Sequence, residues 1–394
     1  MNKLKHIEIN IWKACNNKCR FCMSSKSKLW DIKFVKLEDI KQKIIWYADK
    51  DYKSIWFLWW DISIHPDIIK IISYCKEKWF ENINVVSNGM KFDDFEFTQK
   101  AIEAWITRIN FSIHSHIDKI EDYLIQVNGW LKRKLKAIDN CKYFFQKGLL
   151  RDDLSINIVL NSKNYKTIIE TVLFFYLKKK IKDIRINFVR LSDDIKENRE
   201  DLKVSYTEFL PYLKKLIYLS LKYNIRITFD TIPACIFYKI DHINYKFLIE
   251  KFLWEELDHI TEIDHINNND KFDWKQRKKD MLKIQFKQCS NCLYQISCQW
   301  VRKSYWSLYW WDEFEPILWK IEEKIETQID FKYFYEKIEN NDLKDIKKEI
   351  EELYKKNKTD KRYTNLYAIF LSKNKNYKKA NKILLDILEI DKNI

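Results

Sequence analysis

Seven of the nine cysteines fall into two sets. Cys15-Asn-Asn-Lys-Cys19-Arg-Phe-Cys22 has the spacing C-x3-C-x2-C, and Cys289-Ser-Asn-Cys292-Leu-Tyr-Gln-Ile-Ser-Cys298 has C-x2-C-x5-C. Cys235, in Ile232-Pro233-Ala234-Cys235, is a candidate fourth member of the second set. Thiols grouped in this way argue for metal or redox chemistry rather than disulfides. Structural zinc takes four ligands, often as two C-x2-C pairs, and the first set offers three. Cys75 and Cys141 stand alone on helical patterns and read as buried thiols.

The elements that must carry these groups can be read from the apolar pattern. Residues 7–12 alternate as a strand does, and Cys15 follows in the next loop. Further strand patterns cover 83–87, ending in Asn88-Gly89, then 109–114, 155–160 and 184–189. Each is followed by a helical pattern, so β and α alternate along the chain. His114 and His116 stand at the end of the strand 109–114 and are substrate-site candidates. Residues 225–229 form one more strand, shortly before Cys235.

A C-x3-C-x2-C loop directly after a first strand, with aromatic Phe21 before its last cysteine, resembles the radical S-adenosylmethionine superfamily. The resemblance implies that Cys15, Cys19 and Cys22 hold three irons of a [4Fe–4S] cluster. The open iron is then chelated by S-adenosylmethionine, whose reductive cleavage gives a 5′-deoxyadenosyl radical. Residues 55–67 resemble the family's Gly-Gly-Glu-Pro segment, with Trp59 and Trp60 at the glycine pair, Asp61 for Glu and Ile62 for Pro. Trp59, Trp60, Asp61, Asn88, Ser112 and Asn157 are thereby expected around the cofactor, with Ser112 toward its ribose. The implied fold is α/β, a partial (β/α)6 TIM-like barrel with the active site at the C-terminal ends of its strands. A reducing partner such as a flavodoxin or ferredoxin is implied as well.

The second set resembles the auxiliary-cluster extensions of the SPASM and twitch subgroups. Cys235, Cys289, Cys292 and Cys298 would then hold a second [4Fe–4S] cluster, and a zinc site on the same four cysteines stays open as the alternative. The expected organisation is a barrel over 1–225, a small Cys-rich extension over 226–320 and an α-helical tail over 321–394. In that tail Asp342-Leu-Lys-Asp-Ile346 and Asn376-Tyr-Lys-Lys-Ala380 lie 34 residues apart. This period resembles tetratricopeptide repeats, and a plain helical bundle fits the pattern equally. Such a tail suits docking of a peptide, so a peptide or protein substrate is expected. RNA or a small metabolite, modified by the same chemistry, is the alternative. A zinc-stapled binding protein is the non-enzymatic one.

Hydrophobic residues make up 46% of the 394, enough for a sizeable core, and no run is apolar enough to span a bilayer. The N-terminal segment lacks signal-peptide features, so a cytoplasmic location is expected. The formal net charge of +15 is spread along the chain and reads as solvated surface rather than a nucleic-acid site. The balance of Gly 3 against Trp 16 is anomalous, since an average chain holds about 7% glycine. Trp79 and Trp105 follow helical patterns where a left-handed residue is wanted, and Trp310-Trp311-Asp312 reads as a turn. The expectation is that such codons are UGA, read as glycine in the source organism.

Overall fold

The computed structural model describes residues 5–11, 15–22, 34–58, 61–191, 200–242, 244–253, 261–265, 270–309, 312–318, 333–334, 337–338, 342–358 and 361–387. Trp59, Trp60, Trp310 and Trp311 lie outside them. In chain order the strands are β1 (His6–Asn10), β2 (Ser54–Phe57), β3 (Asn82–Ser87), β4 (Arg108–Ser112), β5 (Ser155–Leu160), β6 (Asp183–Phe188), β7 (Arg226–Asp230), β8 (Thr261–His265) and β9 (Asp270–Asp273). The helices that matter for the site are α1 (Leu37–Asp49), α2 (Ile68–Glu77), α3 (Phe95–Glu103), α4 (Asp118–Ile125), α5 (Trp130–Gln146), α6 (Ile168–Lys179), α7 (Tyr206–Tyr223), α8 (Ala234–Ile240) and α9 (Tyr245–Phe252). Two compact units form: Met1–Val204 with Trp254–Ile284 and Arg302–Leu308, and Ser205–Leu253 with Gln285–Val301 and Tyr309–Ile394.

The sheet of the first unit runs β6-β5-β4-β3-β2-β1-β8-β9. Neighbours from β6 to β8 are parallel, and β9 turns back antiparallel on β8. Parallel strands are covered on both faces, which is why they read as apolar runs. Ile7, Ile9, Ile55, Phe57, Ile83, Val85, Ile109, Phe111, Ile156 and Ile184 are all buried. The order is linear, so this is a partial barrel. Because the strands are parallel, the loops after β1 to β5 leave from one edge and carry the candidate residues there together. The strands β8 and β9 were not expected: residues 261–265 and 270–273, assigned above to the Cys-rich extension, extend the sheet next to β1.

Four helices of this unit end alike, the first being α1, where Asp51 N–H donates to Ala48 O at 3.0 Å and Tyr52 N–H to Tyr47 O at 3.1 Å. Trp79 N–H donates to Lys76 O at 3.0 Å and Phe80 N–H to Cys75 O at 3.2 Å, closing α2. Trp105 and Ile106 bond to Ile102 O and Ala101 O at 2.9 and 3.4 Å, closing α3. Gly148 and Leu149 bond to Phe145 O and Phe144 O, both at 3.0 Å, closing α5. Each is a Schellman ending, which puts one residue in the left-handed region.

In the second unit α7 opens with a capping box between Ser205 and Glu208. The Phe229 ring of β7 packs on Phe209, Phe237 and Phe252, from α7, α8 and α9. The tail holds helices Leu343–Lys356, Lys361–Lys373 and Tyr377–Ile387, and the third starts 34 residues after the first. The middle one is buried from Tyr363 to Leu371. Among the described residues no helix is long and apolar enough to cross a membrane.

Candidate active site

The loop carrying the first three cysteines is pinned to the C-terminal turn of α4. Lys18 N–H donates to Ile125 O at 3.1 Å and Arg20 N–H to Leu124 O at 2.9 Å, so Cys19 sits between two backbone anchors. Carbonyls in the last turn of a helix lack intrahelical donors and accept readily from a passing loop. The Arg20 guanidinium bonds Asp201 at 3.1 Å and lies 4.5 Å from the Tyr123 ring centre. Phe21 meets the His114 ring edge-on at 4.5 Å and packs against Leu124, Val189, Leu191 and Leu202. The aromatic before the last cysteine therefore wedges the loop into the core.

Behind Cys15 the ends of β2 and β3 are knotted through Asp61. Its carboxylate is fully buried and accepts from Ser63 N–H at 2.9 Å, Ser63 Oγ at 2.7 Å, Ser87 Oγ at 3.0 Å and Asn88 N–H at 3.2 Å. Burial raises its pKa, against the lowering effect of these donors. Asn88 reaches back to the loop, with Nδ2 at 3.7 Å from Cys15 Sγ and 2.5 Å from Asn16 Oδ1. Asn17 N–H adds a second contact to the same sulfur at 3.4 Å.

Ser112 and Asn157 stand opposite each other in the β4–β5 register. Asn157 Oδ1 accepts from Asn187 Nδ2 on β6. The tip of β4 is shaped by a pair the sequence reading missed. Lys134, on α5, donates to Ser112 O at 3.1 Å and to Glu121 Oε1 at 2.7 Å. Glu121 Oε2 accepts from His114 N–H and Ser115 N–H at 2.8 and 2.9 Å. The two charges stand 13 positions apart on separate helices, a spacing that carries no helical-face signal. His114 Nδ1 accepts from Val159 N–H at 3.1 Å, which places the proton of the neutral ring on Nε2. Burial pushes the His114 pKa down to about 4. His116 instead faces α6, bonded to Thr171 at 2.9 Å and stacked on Phe174.

The thiols themselves fit a cationic cluster. Burial first, then the Asp61 charge, pushes Cys15 up to about 12. Cys19 is raised by burial and by Cys15 beside it. Such thiols ionise only against positive charge, which cluster irons supply. Among the described residues no three His, Cys, Asp or Glu side chains converge on a point suited to a single metal ion. A cubane does not require that, because it takes each thiolate on a different iron.

In the second unit, Cys289 and Cys292 lie in and just after a short turn, with Cys292 N–H on Cys289 O at 3.0 Å. Cys298 N–H bonds Tyr294 O at 2.7 Å, and Trp300 N–H points at Cys298 Sγ at 3.3 Å. Cys235, in the first turn of α8, has its pKa raised by burial and then by Cys298, Cys292 and Cys289 nearby. What brings it there is visible: Thr231 N–H donates to the buried Gln299 Oε1 at 2.6 Å, tying the segment before Cys235 to the residue after Cys298. Gln299 is a site residue that sequence reasoning did not single out.

Residues 9–175 match the model of the Radical SAM superfamily. A probable GTP 3′,8-cyclase of Methanococcus maripaludis is 19% identical over 223 residues, covering 55% of this chain and 73% of that protein. A 7,8-dihydro-6-hydroxymethylpterin dimethyltransferase of Methanocaldococcus jannaschii is 23% identical over 137 residues, 34% of this chain and 27% of that one. Among solved structures, Streptococcus suis SuiB bound to S-adenosylmethionine aligns with a TM-score of 0.51 at 16% identity, over 71% of this chain. The chain spans 64% of SuiB. Native anSMEcpe with bound AdoMet gives the same TM-score at 12% identity, over 66% of this chain and 72% of that one. The mostly parallel sheet, the C-x3-C-x2-C loop at the end of its first strand and the family match agree, and residues 9–175 carry a radical SAM domain.

Proposed function

We propose that this enzyme modifies a peptide or protein, using a first [4Fe–4S] cluster on Cys15, Cys19 and Cys22 and a second on Cys235, Cys289, Cys292 and Cys298. The first cluster, when bound, supplies the electron that cleaves S-adenosylmethionine. The chain's part is placement. Asp61, Asn88, Ser112 and Asn157 line the C-terminal edge of the sheet where the cofactor would lie, and the Phe21 wedge fixes the thiol loop against it. An external one-electron donor of the flavodoxin or ferredoxin class completes the cycle.

The observation that supports the second cluster is the Thr231–Gln299 bond at 2.6 Å, which ties the segment before Cys235 to the residue after Cys298. A zinc ion on the same four thiols is the competing occupant. The peptide reading is supported by the tail, where helix starts 34 residues apart give a helix–turn–helix layer of the kind that binds extended segments. The test is anaerobic reconstitution, iron and sulfide analysis, and assay of 5′-deoxyadenosine release with and without peptides encoded near the gene. Two clusters and peptide-stimulated release support the reading. Zinc in the second site, or release stimulated by no peptide, sinks its respective half.

A second substrate class has its own support. The methanogen relative named as a GTP 3′,8-cyclase has 73% of its length covered, so a nucleotide-like metabolite belongs in the same assay.

A further inference from the structure

We propose that Asp61 is a positioning residue that holds the Asn88 amide on the Cys15 sulfur, and that this contact raises the reduction potential of the cluster. The proposal rests on the radical SAM reading and adds a role to it. Asp61 stands where the family pattern has a cofactor-side acid. Yet its carboxylate is sealed from solvent and accepts from four donors on two strand ends. Asn88 N–H is one of those donors, and Ser87, whose Oγ is another, accepts in turn from Gly89 N–H at 3.0 Å. The turn after β3 is thus fixed at three consecutive residues.

The direction of the Asn88 side chain follows. Its Oδ1 accepts from Met90 N–H at 3.0 Å, and only an oxygen can do so, which leaves Nδ2 to face Asn16 Oδ1 and Cys15 Sγ. A hydrogen bond to a ligating sulfur stabilises the more negative, reduced cluster and shifts its potential upward.

The test is an EPR-monitored redox titration of the reconstituted protein without substrate. Asn88→Asp keeps the acceptor for Met90 and removes the donor to sulfur, so the midpoint should move negative. Asp61→Asn should move it the same way, and the double variant should add little to either single one. Asp61→Glu, a longer acid, guards against a folding defect in Asp61→Asn. Wild-type iron content with an unchanged midpoint in Asn88→Asp overturns the proposal, as do fully additive shifts. Failure of the wild type to take up iron would instead strike the family reading.

From a separate observation we infer that the natural chain carries glycine, encoded by UGA, at Trp79, Trp105 and Trp300. Their φ angles are 64°, 90° and 57°. Trp79 and Trp105 close α2 and α3 with the same pair of hydrogen bonds that Gly148, φ 72°, makes at the end of α5. Asp51 and Lys375 close their helices with the same pair of bonds, and glycine is the residue that takes this ending without strain. Asp51 and Lys375 have φ of 63° and 61°, and a short polar side chain such as that of Asp51 can compensate locally. An indole cannot, and these two gain little from burial, being 81% exposed at Trp79 and 48% at Trp105. A chain with Gly 3 and Trp 16 is starved of the residue these places favour.

Codons at the three positions and the mass of the corresponding peptides from the source organism decide the matter. UGA codons and peptides lighter by the difference between tryptophan and glycine are expected. UGG codons, or tryptophan in those peptides, overturn the inference. In recombinant protein made with tryptophan, Trp79→Gly should raise Tm, and Trp79→Ala should raise it less because alanine keeps the left-handed strain. Equal gains would count against a backbone cause.

Discussion

Lys134 Nζ lies 2.7 Å from Glu121 Oε1, and neither side chain is exposed at all. Between them they hold Ser112 O, His114 N–H and Ser115 N–H, so one buried ion pair frames the whole tip of β4. Burial works to raise the Glu121 carboxyl, but Lys134 and His114 beside it hold it below its usual range.

Breaking that pair should therefore be costly. Lys134→Met or Glu121→Gln alone strands a buried partner, and each should lose roughly 3–5 kcal/mol in urea unfolding. The double replacement should cost less than the sum of the two. Additive losses would mean that the groups act separately.

His114 gives the acid side of the stability profile a defined window. In the unfolded chain a histidine titrates near about 6.5, and in the fold burial brings it to about 4. Between those values the unfolded chain takes up more protons. The contribution is complete above pH ~6.5 and is lost as pH falls through ~4, on the order of 3 kcal/mol in total. Glu121 and Lys134 face the ring and pull its pKa in opposite directions. Urea midpoints at pH 7 and 4.5 should converge for His114→Gln relative to wild type.

The two thiol sets should separate in their iron content. Cys19→Ala should lose the iron of the first cluster and all 5′-deoxyadenosine release. Cys292→Ala should lose only the second cluster's iron, spare uncoupled release and stop substrate turnover. Unaffected turnover would remove the second site from the reaction.

The end of α5 offers a reciprocal check on the helix endings. Gly148→Trp places an indole in a left-handed ending with no neighbour within 4 Å of its Cβ, so backbone strain is what changes. A loss of about 1–2 kcal/mol is expected from thermal or urea unfolding.

Strands β1 and β3 to β6 were legible because parallel strands covered on both faces leave apolar residues such as Ile7, Ile83 and Ile156 in regular runs. The strands β8 and β9 were not. Their sequences, TEIDH and DKFD, are mostly polar, and Lys271 pairs with Glu262 at 2.7 Å across them. Charge at a sheet edge suits water and hides the strand from a hydrophobic pattern.

The cysteines were legible by spacing alone. Their supports were not, since Ser87 reaches Asp61 across 26 positions and Gln299 reaches Thr231 across 68. Such bonds follow from which strand ends lie side by side, and no local pattern encodes them. For Asp61 the motif located the residue, while its donors on Ser63, Ser87 and Asn88 are visible only in the fold.

The pairing of β1 with β8 orders events on the ribosome. The strand that leads into Cys15 is made before its partner, and one of its flanks stays bare until residues 261–265 emerge. Until then the nascent sheet presents an unpaired strand next to a half-built thiol loop, open to wrong partners and to oxidation. Metal loading before that flank closes would meet an unfinished nest, so insertion of iron and sulfide is best timed after residues 261–265 have joined the sheet.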